Sequence, residues 1–238
     1  YNLLADGIKK LARTVAWQVE EMQPEVWAEE RGLGRYFGSS VKGQAEIDWD
    51  DEDARRAFLQ GIVQDAQLLL DMAREAVHKL PEGSDDRRQI VEAGALLSQL
   101  LCQDIEQRED GGPELKRGVA KDRIVSVHDP DMRHGRKSSS KRFDGHKLAI
   151  AVEAESQLIT AVEVLPGNAP DREKALELVE ESEQNTGMEA EEVIGDCAYG
   201  DGMTRKKFEE ASRQLVAKVA RRRNAKQFSK DAFEIDLE

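Results

Sequence analysis

The segment from residue 144 to 219 constrains the fold most strongly, because short β-rich runs alternate in it with helical patterns. The runs 146–153 and 157–165 are separated by the polar stretch Ala-Glu-Ser, which is typical of a hairpin. The later elements are, in order, a helix after Pro-Gly-Asn-Ala-Pro-Asp, a strand at 192–195, a helix near 203–213 and a strand at 214–219. Such an alternation of helices and strands predicts a mixed α/β core.

The turn before the first of these helices contains two prolines and an asparagine. Asn168 is the expected N-cap, and Pro170 and Asp171 suit the first helical turn. We expect the helix to stop at Asn185-Thr186-Gly187, where glycine favours a C-cap. The resulting order of hairpin, helix, strand, helix and strand is that of a ribonuclease H-like core.

Residues 192–202 form a short β-rich run that ends on Asp196 and is followed by glycines. In α/β folds the carboxyl ends of core strands face a crevice, so a carboxylate there suits a hard cation such as Mg²⁺. The alternative is structural, with Asp196 making a turn or capping the following helix. Cys197 as a nucleophile would require an activating base, and no histidine is placed for that role by the sequence.

Five ordered motifs carry a family resemblance. They are Asp-Pro-Asp-Met-Arg-His-Gly-Arg-Lys at 129–137, Phe-Asp-Gly-His-Lys at 143–147, Leu-Ile-Thr-Ala-Val-Glu-Val at 158–164, Gly-Asn-Ala-Pro-Asp at 167–171 and Gly-Asp-Cys-Ala-Tyr-Gly-Asp-Gly at 195–202. In this series the chain resembles bacterial insertion-sequence transposases of the DDE class, in the branch whose middle acid lies in a Gly-Asp-x-x-Tyr-Gly turn.

The resemblance implies DNA transposition by a homo-oligomer that binds the double-stranded DNA of transposon ends and target. Three carboxylates would hold two Mg²⁺ or Mn²⁺ ions, which activate water or a 3′-hydroxyl for attack on a phosphodiester. Asp196 matches the second acid and is therefore expected to be catalytic and metal-binding. In such relatives the first acid precedes the position of Tyr1 and the glutamate follows position 238. We therefore expect a fragment that is inactive alone, as the absence of an initiator Met also suggests.

Two readings confined to this chain remain open. Residues 123–128 could form a strand that delivers Asp129 beside Asp196, or Asp129 and Asp131 could belong to a proline turn. A haloacid-dehalogenase-like phosphatase would use Asp129 and Asp131 as its nucleophile pair, with Asp196 and Asp201 as metal-binding acids. A further alternative is a transposase-derived DNA-binding fragment without enzymatic activity.

The net charge of −13 is unevenly distributed. Residues 111–150 have 10 basic and 5 acidic side chains, and residues 205–238 have 10 and 6, whereas the remaining regions are acidic. Lys and Arg contacts with phosphates dominate DNA affinity, so two basic clusters are candidate DNA-binding sites. Their members are Arg133, Arg136, Lys137, Lys141 and Arg142 in a predicted loop, and Arg221, Arg222 and Arg223 after the last strand.

Residues 1–110 are predicted to form a separate helical bundle ahead of a ribonuclease H-like half-core at 120–238. Three apolar series with helical spacing begin at Leu3, Phe58 and Ile90, and Ser84 is the expected N-cap of the third helix. Residues 109–114 are predicted to be a linker, and Trp17, Trp27 and Trp49 are expected in the bundle core. No apolar run is long enough for a membrane span, and we expect a cytoplasmic protein that is nucleoid-associated when acting.

Overall fold

The computed structural model describes residues 1–109, 111–118, 120, 122–138 and 140–219. The chain divides by its contacts into two compact units, Tyr1–Arg133 and His134–Glu238. The first unit is mainly helical and the second contains both helices and strands. The predicted mixed α/β fold with a preceding helical segment is therefore confirmed.

The first unit is built around three long helices that correspond to the three predicted apolar series. They are α1 (Asn2–Val19), α3 (Glu52–Lys79) and α4 (Asp85–Asp104), with the short α2 (Pro24–Glu30) and a 3₁₀ turn (Gly34–Phe37) between the first two. Apolar residues from each long helix are fully buried in one core. Gly7 permits the close approach of α1 to α4, because a Cβ there would lie 2.9 Å from Leu100 Cδ1.

The helix starts follow capping rules. The Ser84 hydroxyl accepts a hydrogen bond of 3.3 Å from the Arg87 amide, which confirms the predicted N-cap of α4. The acidic stretch before α3 ends in Asp51, whose carboxylate accepts a bond of 2.9 Å from the Asp53 amide. These bonds satisfy backbone donors that would otherwise lack a partner in the first helical turn.

The tryptophans have three different environments. Trp27 is fully buried, and Trp49 packs edge-on against Tyr1 and Phe58 with ring centroids 5.7 and 5.4 Å away. Trp17 is 52% exposed, so its predicted place in the core is wrong. Its position on α1 lies outside the apolar stripe formed by the buried residues of that helix.

The region expected as a linker contains a small hairpin. Strand β1 (Ile105–Gln107) pairs antiparallel with β2 (Pro113–Leu115), and Gly111 adopts φ 83° in the turn. The chain beyond the hairpin still belongs to the first unit, since Ile124 and Val127 are buried in the helical core. Lys10 Nζ also donates to the Val127 carbonyl oxygen over 2.7 Å.

The second unit contains two small sheets. Strands β3 (Arg133–Arg136), β4 (Arg142–Val152) and β5 (Ile159–Pro166) form one sheet, in which β4 is central and pairs antiparallel with β5. After α5 (Ala175–Thr186), strands β6 (Glu192–Gly195) and β7 (Gln214–Ala217) pair in parallel, with α6 (Gly202–Glu210) as their connection. Strand β3 was not predicted, because its sequence reads as a basic loop.

The start of α5 differs from the prediction. The helix begins at Ala175 with Lys174 as N-cap, instead of beginning after Asn168. Residues 167–174 make successive turns, in which the Glu173 amide donates to the Pro170 carbonyl oxygen over 3.0 Å. Lys147 on β4 holds this turn by binding both the Ala169 carbonyl oxygen and Asp171, each over 2.8 Å. The predicted stop is confirmed, since Gly187 adopts φ 69° as C-cap.

A polar bridge holds α5 against the turn between α6 and β7. Glu183 accepts from the Ala190 amide over 2.9 Å and from the Arg213 guanidinium over 2.5 Å, and its side chain is only 12% exposed. Removing one member of a largely buried ion pair leaves the other charge without compensation.

We predict that Glu183→Ala lowers the free energy of unfolding by about 2–3 kcal/mol. Urea denaturation of the chain measures the effect. The control Glu180→Ala, which changes an exposed glutamate on the same helix, should shift the free energy by less than about 0.5 kcal/mol. Equal stability of the two variants would contradict the proposed importance of the bridge.

Both sheets of the second unit expose apolar side chains to solvent. They include Leu148, Ile150 and Val152 on β4, Val162 and Val164 on β5, and Ile194 on β6. Helix α5 packs on both β4 and β5. Among the described residues, no helix is both long and apolar enough to cross a membrane.

Candidate functional site

Asp196 lies immediately after the last residue of β6, as the sequence predicted. Its side chain is exposed, and its Oδ1 accepts a hydrogen bond of 2.7 Å from the Ala198 amide. It borders a cavity of about 360 Å³ whose other lining residues are mostly apolar and come from β4, α5, β6, α6, β7 and the adjoining loops. The carboxylate is therefore open to solvent, and one main-chain amide fixes its orientation.

The loop after Asp196 is shaped by glycines. A Cβ on Gly200 would lie 2.1 Å from the carbonyl oxygen of Lys218, so no other residue fits there without a backbone shift. A Cβ on Gly195 would lie 3.1 Å from the Tyr199 side chain, which packs over it. The Tyr199 amide donates to the Asp196 carbonyl oxygen over 3.2 Å. The loop thus has little freedom to change the position of Asp196.

The first two motifs meet in the hairpin of β3 and β4. His134 Nδ1 lies 2.6 Å from Asp144 Oδ1. Gly135 lies so close to the neighbouring backbone that a Cβ would come within 2.2 Å of the Gly167 carbonyl oxygen. The motif at 167–171 therefore also contacts this hairpin.

The fourth motif connects the hairpin to the Asp196 loop. Asp171 forms the ion pair with Lys147, and the next residue, Arg172, binds Asp201 with 2.9 Å between Nε and Oδ2. Burial raises the pKa of Tyr199, and the negative charges of Asp171 and Asp196 raise it further. Tyr199 therefore lies within the electrostatic influence of both carboxylates. The sequence indicated the motifs, but it did not indicate these pairings.

Asp201 has a structural role as the N-cap of α6. Its carboxylate accepts from the Met203 amide over 3.0 Å and from the Thr204 hydroxyl over 2.6 Å. The Thr204 hydroxyl contributes most to lowering the pKa of Asp201, and Arg172 lowers it further. A charged, capped Asp201 is thus engaged by its own helix, which does not favour the metal-binding role that a phosphatase would require.

Asp129 belongs to the first unit and lies in a turn. Residues 123–128 do not form a strand, which corrects that expectation. Asp129 Oδ1 accepts from the Asp131 amide over 3.2 Å, and the Met132 amide donates to the Asp129 carbonyl oxygen over 3.2 Å. This is the proline turn of the alternative reading. The fixed φ of Pro130 and the short Asp129 side chain stabilise it locally.

The first basic cluster was predicted to lie in a loop, and its residues lie at the ends of β3 and β4 and in the turn between these strands. Arg136, Lys137, Lys141 and Arg142 are exposed around the turn between β3 and β4, where the Lys137 amide donates to the Lys141 carbonyl oxygen over 2.9 Å. Arg133 differs from them, because its guanidinium donates to the carbonyl oxygens of Pro130 and Met132. The second cluster, Arg221, Arg222 and Arg223, lies outside the described residues.

A complete metal site is not formed by the described residues alone, because no group of three His, Cys, Asp or Glu side chains among them is arranged to hold an ion. Asp196 offers one oxygen that is not bound to the Ala198 amide. A hard cation takes six or more oxygen ligands. Further ligands are thus required at Asp196.

The comparison with known families supports the transposase resemblance. Residues 116–233 match the family described as "Transposase DDE domain". Over this range the chain is similar to transposase DDE domains. The matched range contains all five motifs. No curated protein and no solved structure matches the chain significantly.

Proposed function

We propose that Asp196 is one of the catalytic carboxylates of a DNA transposase that cleaves and joins phosphodiesters. The observation that carries the proposal is its geometry: an exposed carboxylate at the carboxyl end of β6, in a glycine-restricted loop on which the family motifs converge. The similarity to transposase DDE domains supports this reaction class and DNA transposition as its outcome. The assignment to the Gly-Asp-x-x-Tyr-Gly branch rests on residues 195–200.

The remaining acids are proposed to lie outside this chain, the first on a strand before Tyr1 and the glutamate beyond Glu238. Asp196 would then share Mg²⁺ or Mn²⁺ with these two residues. When bound, such ions stabilise the charges on the attacking and leaving oxygens. Among the described residues no group of three His, Cys, Asp or Glu side chains could hold an ion, so we expect residues 1–238 to be inactive alone.

We propose that an additional strand completes the second unit, as a ribonuclease H-like half-core requires. Within the described residues, β6 pairs only with β7, and the later part of β4 pairs only with β5. The cavity beside Asp196 is lined by residues of both β4 and β6, with apolar side chains such as Leu178 and Phe208. Unpaired strand edges that are flanked by apolar side chains favour the binding of another strand.

Double-stranded DNA is the proposed partner, bound by a homo-oligomer of the intact protein. The hairpin tip presents four exposed basic side chains without an intervening acid. Its positive charge suits phosphate contacts, and Arg221, Arg222 and Arg223 would add to it. This surface would bind the DNA backbone without reading sequence.

We predict that the triple variant Lys137→Gln, Lys141→Gln and Arg142→Gln weakens DNA binding and flattens its salt dependence. Each lost phosphate contact should reduce the slope of log K against log salt by about one. The matched control removes three exposed charges from the first unit with Arg74→Gln, Lys79→Gln and Arg88→Gln. A slope that is unchanged in the hairpin variant, or equally reduced in the control, would contradict the proposed surface.

The proposed function is tested by DNA cleavage. The protein with its natural flanking sequence should cut DNA that carries its transposon end in the presence of Mg²⁺ or Mn²⁺, whereas residues 1–238 alone should not. Cleavage by the chain alone would contradict the placement of the two other acids. Absence of cleavage by the longer protein would instead favour a DNA-binding descendant of a transposase.

A further inference from the structure

We propose that Arg172 and Asp201 form a latch that positions the Asp196 carboxylate. The latch consists of their ion pair, with 2.9 Å between Arg172 Nε and Asp201 Oδ2. Neither side chain is proposed to touch the substrate, and both would act through the loop 196–201. This inference rests on the proposed function of Asp196 and adds two positioning residues to it.

The latch connects parts of the second unit that the strands do not join. Among the described residues, the β3-β4-β5 sheet and the β6-β7 sheet share no strand pairing. Arg172 belongs to the turn that follows β5, and Asp201 begins α6 after β6. Asp171, beside Arg172, is itself tied to β4 through Lys147 over 2.8 Å. A continuous series of polar contacts therefore runs from β4 to the loop that contains Asp196.

The end of the loop that leads into α6 makes further contacts with α6 and β7. Arg205, in the first turn of α6, donates to the Gly200 carbonyl oxygen over 3.3 Å and to the carbonyl oxygen of Ala217. Gly200 is buried against Lys218. With Asp201 bound by Arg172 and Gly200 bound by Arg205, the end of the loop that leads into α6 is held at two positions. Among the described residues, the Asp196 side chain accepts one hydrogen bond, from the Ala198 amide of the same loop.

The ion pair is partly exposed, at 44% for Arg172 and 29% for Asp201. Pairs of this kind contribute little to global stability, up to about 1 kcal/mol. A change of about 1 kcal/mol in the free energy of opening a short loop alters the fraction of molecules with an open loop severalfold. The expected consequence of breaking the latch is therefore a local loosening around Asp196 with little effect on the fold.

Amide hydrogen exchange of the 238-residue chain tests the latch directly. Arg172→Gln removes the ion pair, and Asp201→Asn removes the charge while retaining a side chain that caps α6. In both variants the Ala198 and Tyr199 amides, which bind Asp196, should exchange about fivefold faster than in the unaltered chain. The exchange of the β6-β7 amides should be unchanged.

Two further variants separate positioning from general destabilisation. Arg172→Lys retains the positive charge and should restore most of the protection. Lys174→Gln breaks the neighbouring ion pair with Glu163, which joins the same turn to β5 and does not involve the loop. In the Lys174→Gln variant, the hydrogen-exchange rates of the Ala198 and Tyr199 amides should equal those of the unaltered chain. Unchanged exchange in Arg172→Gln, or the same acceleration in Lys174→Gln, would overturn the latch.

The functional consequence is measured in the protein with its flanking sequence. Arg172→Gln should raise the Mg²⁺ concentration for half-maximal DNA cleavage about fivefold while the Kd for DNA stays the same. Equal Mg²⁺ dependence of this variant and the unaltered protein would overturn the positioning role. If the unaltered protein does not cleave DNA, the proposed function fails, and the exchange measurement still decides whether the latch exists.

Discussion

Asp196→Asn is expected to reduce metal-dependent DNA cleavage by the flanked protein by at least about a thousandfold. The substitution removes the negative charge that a divalent ion requires but keeps the shape of the side chain. The amide oxygen of asparagine also accepts a hydrogen bond, so the bond from the Ala198 amide is retained. The loss would thus report on charge and not on folding. The measurement is the cleavage rate of labelled transposon-end DNA.

The control for this substitution is Glu191→Gln, which neutralises an exposed acid just before β6. Its cleavage rate should lie within about twofold of the unaltered protein. Asp129→Asn distinguishes the phosphatase alternative, which predicts loss of generic phosphoester turnover in that variant. Cleavage retained in Asp196→Asn would contradict the assignment of this residue.

Gly200→Ala is expected to have the second-largest effect, since its Cβ would meet backbone atoms. The new methyl group would lie 2.1 Å from the carbonyl oxygen and 2.7 Å from the carbonyl carbon of Lys218. Neither atom moves without distorting the end of β7. Overpacking of this kind costs about 1–3 kcal/mol of unfolding free energy. Cleavage should fall as well, because the displaced loop contains Asp196.

Gly202→Ala is the matched control, two residues further along the same loop. Apart from its chain neighbours and the backbone of its own helix, no atom of the described residues lies within 4 Å of its Cβ position, and Gly202 is the first residue of α6. Alanine favours helix formation relative to glycine, so stability should be unchanged or rise by up to about 1 kcal/mol. Thermal unfolding of both variants measures the difference. A Gly200→Ala variant as stable as Gly202→Ala would contradict the described close contact.

Local sequence patterns accounted for much of the first unit. The helical spacing of apolar residues predicted α1, α3 and α4, and the Ser84 cap was predicted from its hydroxyl and position. The αL stop at Gly187 followed in the same way. These features depend on residues that lie within one or two helical turns of each other. The pattern that predicts them is therefore visible in a short stretch of sequence.

Features that depend on distant partners were not predictable from patterns. Strand β3 has few apolar residues and exists because it pairs with β4. The turn at 167–174 replaces a helix start because Lys147, more than twenty residues earlier, binds Ala169 and Asp171. The Arg172–Asp201 pair joins two motifs whose separation in sequence gives no indication of contact. Tertiary interactions override local propensity at each of these places.

The candidate site was predictable at one position. The β-rich run and the following glycines located Asp196 at a strand end, and the structure agrees. The orientation of its carboxylate, by contrast, depends on the Ala198 amide and on the packing of Gly200 against Lys218. Those contacts depend on the backbone conformation of the loop, which the pattern of apolar and polar side chains does not predict.

The most direct test of metal binding by Asp196 replaces its oxygen ligands with sulfur. Asp196→Cys, made with Cys197→Ala to remove the neighbouring exposed thiol, is assayed for DNA cleavage in the flanked protein with Mg²⁺ and with Mn²⁺. Mg²⁺ is a hard ion with a strong preference for oxygen, whereas Mn²⁺ binds thiolate more readily. The account predicts no cleavage with Mg²⁺ and partial recovery with Mn²⁺. Equal cleavage with both metals, at the rate of the Cys197→Ala parent, would show that Asp196 does not bind the catalytic metal.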